Sequence, residues 1–92
     1  MPSKHDTYVQ ELVEQLEPRY DSLETNVLIY YKKRVVAEID ILAKKNDTVH
    51  VYEVKCSYRI SKARKQMKKL QKHVPHALAF FYCGDSRLLT VL

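Results

Sequence analysis

Four charged residues alternate with apolar ones in two short stretches. Glu38 and Asp40 lie in Ala37-Glu38-Ile39-Asp40-Ile41-Leu42, and Glu53 and Lys55 lie in Val51-Tyr52-Glu53-Val54-Lys55. On a strand, side chains two positions apart share a face. If both stretches are strands joined by a two-residue turn at Asn46-Asp47, Asp40 falls opposite Glu53 and Glu38 opposite Lys55. All four then share one face, with Ile39, Ile41, Tyr52 and Val54 on the other. Two carboxylates held that close repel each other when half buried. A divalent cation relieves the repulsion, and carboxylate oxygens suit Mg²⁺ or Mn²⁺. A metal there lowers the pKa of a bound water and stabilises charge on a phosphoryl group. Lys55 would orient the water or neutralise developing charge. The same four residues also describe an ordinary salt-bridge ladder on a solvated sheet. Val49 and Val51 weigh against that, because they share the face of Glu53 and Lys55 and mark it as covered, with the first helix as the expected cover. Covered charges are paired or metal-bound.

Those strands need elements around them. Ser3 followed by Asp6 is a capping box that starts a helix near Lys4. Tyr8, Val9, Leu12, Val13 and Leu16 give it one apolar face, and Pro18 ends it. Leu23 to Tyr31 is rich in β-formers, and Arg34 to Ala43 reads as a second strand. Asn46-Asp47 tolerates the backbone of a tight hairpin. Thr48 to Cys56 is a third strand. Ser61 is expected to cap a second helix, running to about Val74 with Ile60, Ala63, Met67, Leu70 and Val74 as its stripe and Pro75 as its stop. Ala77 to Cys83 is a fourth strand, Gly84-Asp85 a turn and Arg87 to Leu92 a final strand. The expected order is α-β-β-β-α-β-β.

Ninety-two residues make one domain with a single sheet layer and a few helices. The longest apolar run, Ala77 to Cys83, is too short to span a bilayer. No apolar signal core opens the chain, so a cytoplasmic, intracellular protein without a membrane partner is expected. Cys56 and Cys83 form no CxxC pair and read as small thiols. The net charge of +5 is unevenly spread: residues 1–31 hold six acids and two bases, residues 32–92 fourteen bases and five acids. Between Glu53 and Asp85 lie eight Lys or Arg and no acid. Such a half suits a polyanion, or is simply a soluble basic surface or an anionic membrane face.

The two charged stretches, in this element order, resemble the core signature of the PD-(D/E)XK nucleases. There an Asp ends the second core strand and (D/E)-x-K lies on the third. The spacing from Asp40 to Glu53 resembles that of compact archaeal and viral members such as archaeal Holliday junction resolvases. The resemblance spans nearly the whole chain and implies a restriction-endonuclease-like α/β core, a mixed central sheet flanked by helices. It implies Asp40 and Glu53 as metal ligands, the Val54 backbone carbonyl as a third, and Lys55 as the catalytic lysine. Many members carry a Gln on the following helix, where Gln66 stands, either reaching the site or remaining a surface amide. Ile39 replaces the Pro of the motif. The first-helix acid of the family has no clear counterpart. Glu11 and Glu14 point away, while Asp6 and His5 point nearer, and Asp6 is the expected metal-site residue if it is not merely a capping residue. A family iron–sulfur cluster needs four cysteines and is excluded for one chain with two.

The resemblance implies Mg²⁺- or Mn²⁺-dependent hydrolysis of DNA phosphodiester bonds, selective for a junction, flap or single strand. The alternative is a catalytically degenerate nuclease fold that binds DNA without cutting it. Arg59, Lys62, Arg64, Lys65, Lys68, Lys69 and Lys72 are the expected phosphate contacts, and Tyr58 a base-stacking residue beside the site. His73 and His76 lack partners for zinc, and His50 reads as structural. So small an enzyme is expected to act as a homodimer, with Leu88 to Leu92 as the interface strand.

Overall fold

The computed structural model describes residues 3–92. Its elements run α1 (Lys4–Leu16), a 3-10 turn (Glu17–Arg19), β1 (Ser22–Tyr31), β2 (Arg34–Lys45), β3 (Thr48–Lys55), α2 (Ile60–Gln71), β4 (Leu78–Cys83) and β5 (Leu88–Val91). This is the α/β order expected from pattern. The five strands form one sheet in the order β1-β2-β3-β4-β5. β3 and β4 run parallel, as a helical crossover requires, and the other neighbours are antiparallel.

Each helix covers its own face of the sheet. Val9, Leu12, Val13 and Leu16 of α1 pack with Ile41, Ala43, Tyr52, Val54 and Tyr82. Met67 and Leu70 of α2 pack with Ile39, Val51, Ala77 and Ala79 on the other side, and Ala63 packs with Phe81 and Cys83. The face shared by Val49, Val51, Glu53 and Lys55 is therefore covered by α2 and not by α1. The reason is topological: the crossover from β3 to β4 carries α2 across that face. α2 also differs at its ends. Arg59 stands at its N-cap with no side-chain bond, Ser61 lies inside the helix, and the helix ends at Gln71, three residues short of Val74. Ser3 does cap α1, its Oγ accepting from the Asp6 N–H at 3.0 Å.

The hairpin register follows the expected turn. Asn46 takes a left-handed φ of 54°, and Ile41 pairs with Tyr52 and Leu42 with Val51. One expectation about faces fails. Ile39 packs on the α2 side and Ile41 on the α1 side, although they are two apart. On β1, Leu23 packs on the α1 side while Val27 and Ile29 pack on the α2 side. Thr25 pairs with Ile41 and Val27 with Ile39, so both strands change phase between these pairs. Asn26 has a left-handed φ of 54° at that point. A left-handed residue breaks the alternation much as a bulge does, and Asp40 sits at the break.

Candidate functional site

β2 and β3 are bonded only from the turn as far as Ile41–Tyr52. Beyond that pair they part. β3 continues to pair with β4 out to Lys55–Cys83, while β2 stays with β1 and Glu38 pairs with Leu28, not with Lys55. The expected pairing of Asp40 opposite Glu53 is replaced by a side-chain link. The Val54 N–H donates to Asp40 Oδ2 at 2.8 Å across the gap. A buried amide that has lost its ladder partner needs an acceptor, and the carboxylate supplies it. Asp40 Oδ1 is left for a further partner.

Asp40 and Glu53 are 7% and 5% exposed, the two buried charged residues among the described ones. Glu53 lies on the α2 side of β3, beside Phe81 in register. It lines a cavity of about 140 Å³ with Val36, Ala37, Glu38, Gln66, Met67 and Lys69. Gln66, an exposed residue, lines the same cavity as Glu53. Lys55 Nζ lies 3.1 Å from Glu53 Oε1. Burial, and then the charge of Asp40, push the Glu53 carboxyl up to about 7, against the pull of Lys55. Lys55 is held by its surroundings: the Gly84 N–H donates to the Lys55 carbonyl and the Asp85 N–H to that of Cys56. The same turn anchors α1, since Tyr8 donates to Asp85 at 2.6 Å and Lys4 pairs with Asp85 at 2.8 Å. Gly84 has no Cβ because the Tyr8 ring lies where one would be, with its nearest atom 2.0 Å away.

That anchoring brings His5, and not Asp6, to the split. His5, in the first turn of α1, reaches the split with its Nε2 3.0 Å from the Val54 carbonyl and 3.4 Å from Asp40 Oδ2. Both neighbours are acceptors, so Nε2 carries the proton. Asp6, the expected metal-site residue, is exposed and lies 3.8 Å from His5 Nδ1, outside the split. A single residue step explains the exchange, since adjacent residues differ by about 100° around the axis.

The basic residues of α2 divide into three flanks. With Ala63, Met67 and Leu70 buried, Lys62, Gln66 and Lys69 lie on the flank toward the Glu53 cavity, and Lys69 lines it. Arg64 and Lys68 lie on the opposite flank, beside Leu92. Lys65 and Lys72 face away from the sheet. Arg59 and Tyr58 precede the helix, with the exposed Tyr58 ring edge-on to Phe81 at 5.6 Å. Elsewhere, His50 is structural in its contacts. Its Nδ1 lies 2.6 Å from the Tyr20 hydroxyl, which also bonds Tyr52. Cys83 is buried and Cys56 half-buried, both as free thiols.

The hard oxygens near the split are the Asp40 and Glu53 carboxylates and the Val54 carbonyl, the last already accepting from His5. No group of three or more His, Cys, Asp or Glu able to hold a metal occurs among the described residues. That composition fits Mg²⁺ or Mn²⁺, which keep several waters and take one or two carboxylates, better than a fully protein-ligated ion. No helix among the described residues is long and apolar enough to cross a membrane.

A family described as "Domain of unknown function (DUF4143)" matches residues 6–90 of the chain. No curated protein and no solved structure matches it.

Proposed function

We propose that this chain, which belongs to the DUF4143 family, is a metal-dependent nuclease that hydrolyses DNA phosphodiester bonds. One observation carries the reading. Asp40 and Glu53 are both buried where β2 and β3 part, the charge of Asp40 helps to raise the Glu53 carboxyl, and Glu53 lines a cavity with Gln66 and Lys69 of a basic helix. The element order and the motif residues Asp40, Glu53 and Lys55, which resemble the PD-(D/E)XK core, support the reading. Asp40 and Glu53, with the Val54 carbonyl, would hold the metal. A bound Mg²⁺ would polarise a phosphate oxygen and lower the pKa of its water. The rest falls to the chain. The Val54 N–H fixes Asp40 and leaves one carboxylate oxygen directed elsewhere. Lys55 holds Glu53 in place and puts a positive charge next to the phosphate that reacts. Gln66 presents an amide from the far wall, and Lys62 and Lys69 neutralise neighbouring phosphates. Arg59, Lys65, Lys72 and the Arg64–Lys68 flank serve longer-range attraction of the polyanion.

A binding module without cleavage is the second reading, favoured by one contact. His5 occupies the Val54 carbonyl and approaches Asp40, where a first-helix acid would face the metal. Mg²⁺ or Mn²⁺ with labelled single-stranded, duplex, flap and four-way-junction DNA separates the two. Cleavage that requires metal, and is lost in Asp40→Ala and Glu53→Ala, supports the nuclease. Salt-sensitive binding with no cleavage in either metal leaves the binding module. In the nuclease reading two copies act together on two strands. The exposed Leu88, Leu89 and Val91 of edge strand β5 are the surface through which they would pair, and Leu89→Glu should leave a monomer in sedimentation.

A further inference from the structure

Past the split, the β1–β2 hairpin runs on as an arm whose two sides differ. Its α2 side is partly covered: Val27, Ile29 and Ala37 pack against the α2 core, and the Tyr31 ring, although 55% exposed, lies 5.8 Å from His73. Its other side is bare. Leu28, Tyr30 and Val35 are 44%, 61% and 52% exposed, and Tyr30 pairs directly with Val35. The turn is Lys32-Lys33, with left-handed φ of 50° and 66°, and Arg34 follows. Two-residue turns with both residues left-handed favour Asn-Gly, because most side chains are strained there. Here the strained positions carry lysines, and no acid lies between Glu24 and Glu38. Local strain kept at a charged tip points to a use for the charge.

The tip combines three consecutive cations with a bare aromatic ring, the pairing that takes phosphates and unstacked bases together. Ala37 of the same arm packs on the α2 side and, with its neighbours Val36 and Glu38, lines the Glu53 cavity. Tyr30 lies on the opposite side of the arm. A strand over the cavity and a strand on Tyr30 are therefore separated by the hairpin itself. We propose that the tip of the β1–β2 hairpin is a second nucleic-acid contact that grips an unpaired strand, and that the arm stands between the parted strands of a forked substrate. Tyr30 stacks on a base, and Lys32, Lys33 and Arg34 hold its phosphates. The role of the arm at a fork rests on the nuclease reading of the cavity, whereas the grip on an unpaired strand is testable without it.

The test measures binding of forked and blunt duplex DNA in EDTA, across a salt series, for three proteins: wild type, Tyr30→Ala, and Lys32→Asn with Lys33→Gly. The Asn-Gly turn suits the backbone, so the double variant should melt no lower than wild type. Each variant is expected to lose fork affinity by about fivefold or more, with blunt duplex held within about twofold. The salt slope on the fork should fall by about 1.5 in the double variant, for two lost phosphate contacts. Unchanged fork binding overturns the proposal. So does an equal loss on blunt duplex, which would make the tip a general phosphate contact, or a shift from dimer to monomer in Tyr30→Ala, which would give the bare face to a second copy. Fork binding that falls as expected, with no cleavage of any substrate in metal, keeps the hairpin contact and removes the nuclease reading.

Discussion

The two ends of the β2–β3 pair are built from the same strands and do opposite things. At the turn end, from Lys45–Thr48 to Ile41–Tyr52, backbone bonds knit the strands together. Ile41, Ala43 and Val51 there are fully buried between the helices. At the far end the ladder stops, a carboxylate spans the gap to Val54, and two acids are buried with a cavity beside them. Apolar burial stabilises the first end. The second holds ionisable groups that burial disfavours, and Glu53 shows the cost in a carboxyl pushed up to about 7. A strand pair that closed fully would lose the site, and one that opened fully would lose the core that positions it.

The largest expected effect breaks the closed end. Ile41→Ala should cost about 2–5 kcal/mol in denaturant unfolding, while the folded fraction keeps its metal-dependent activity. If activity disappears ahead of structure, the two ends are not separable. At the open end the sign reverses. The native state keeps the Glu53 proton that the unfolded chain gives up at an ordinary value near 4.5. Stability therefore falls as pH rises from there to about 7, and is flat above. The loss is at most about 3 kcal/mol. Glu53→Gln should abolish cleavage and yet unfold at higher denaturant than wild type at pH 8, with the two curves converging at pH 4. A variant less stable than wild type at pH 8 would mean that Lys55 dominates burial.

Smaller again is the effect at Asp40. Asp40→Ala leaves the Val54 N–H buried without its acceptor, at about 1–3 kcal/mol. Asp40→Asn keeps an amide oxygen there and should lie closer to wild type in a thermal melt. Both should lose metal binding, and Asn should lower the Glu53 pKa, read by carboxyl chemical shift, by removing a neighbouring charge. The smallest effect concerns metal and pH. Because Glu53 must ionise to bind Mg²⁺, calorimetry in two buffers should find up to about one proton released per ion at pH 6 and little at pH 8.5. Equal release at both would detach Glu53 from the metal.

The comparison also separates what is readable locally from what is not. The closed end is legible because alternation and an Asn-Asp turn set a register one residue at a time. The open end is not, because β3 must pair with β2 on one side and β4 on the other, and it follows β4 out to Cys83. His5 and Asp6 are not separated by pattern, since an approximate helical angle does not say which of two adjacent residues the Tyr8–Lys4–Asp85 anchor aims at Val54. Lys32, Lys33 and Arg34 gain their shared place at a hairpin tip only from the pairing of Tyr31 with Arg34.

By itself, then, the sequence determined the order of elements, the hairpin register as far as Ile41–Tyr52, the closeness of Glu53 to Lys55, and the basic character of the second helix. These depend on periodicity, turn chemistry and near-neighbour spacing. Only the tertiary structure decided where the ladder stops, which helix covers Glu53, which first-turn residue reaches the split, and that Asn26 turns the sheet over beside Asp40. Each of those follows from competition between partners distant in the chain, and a strand's own pattern holds no record of which partner wins.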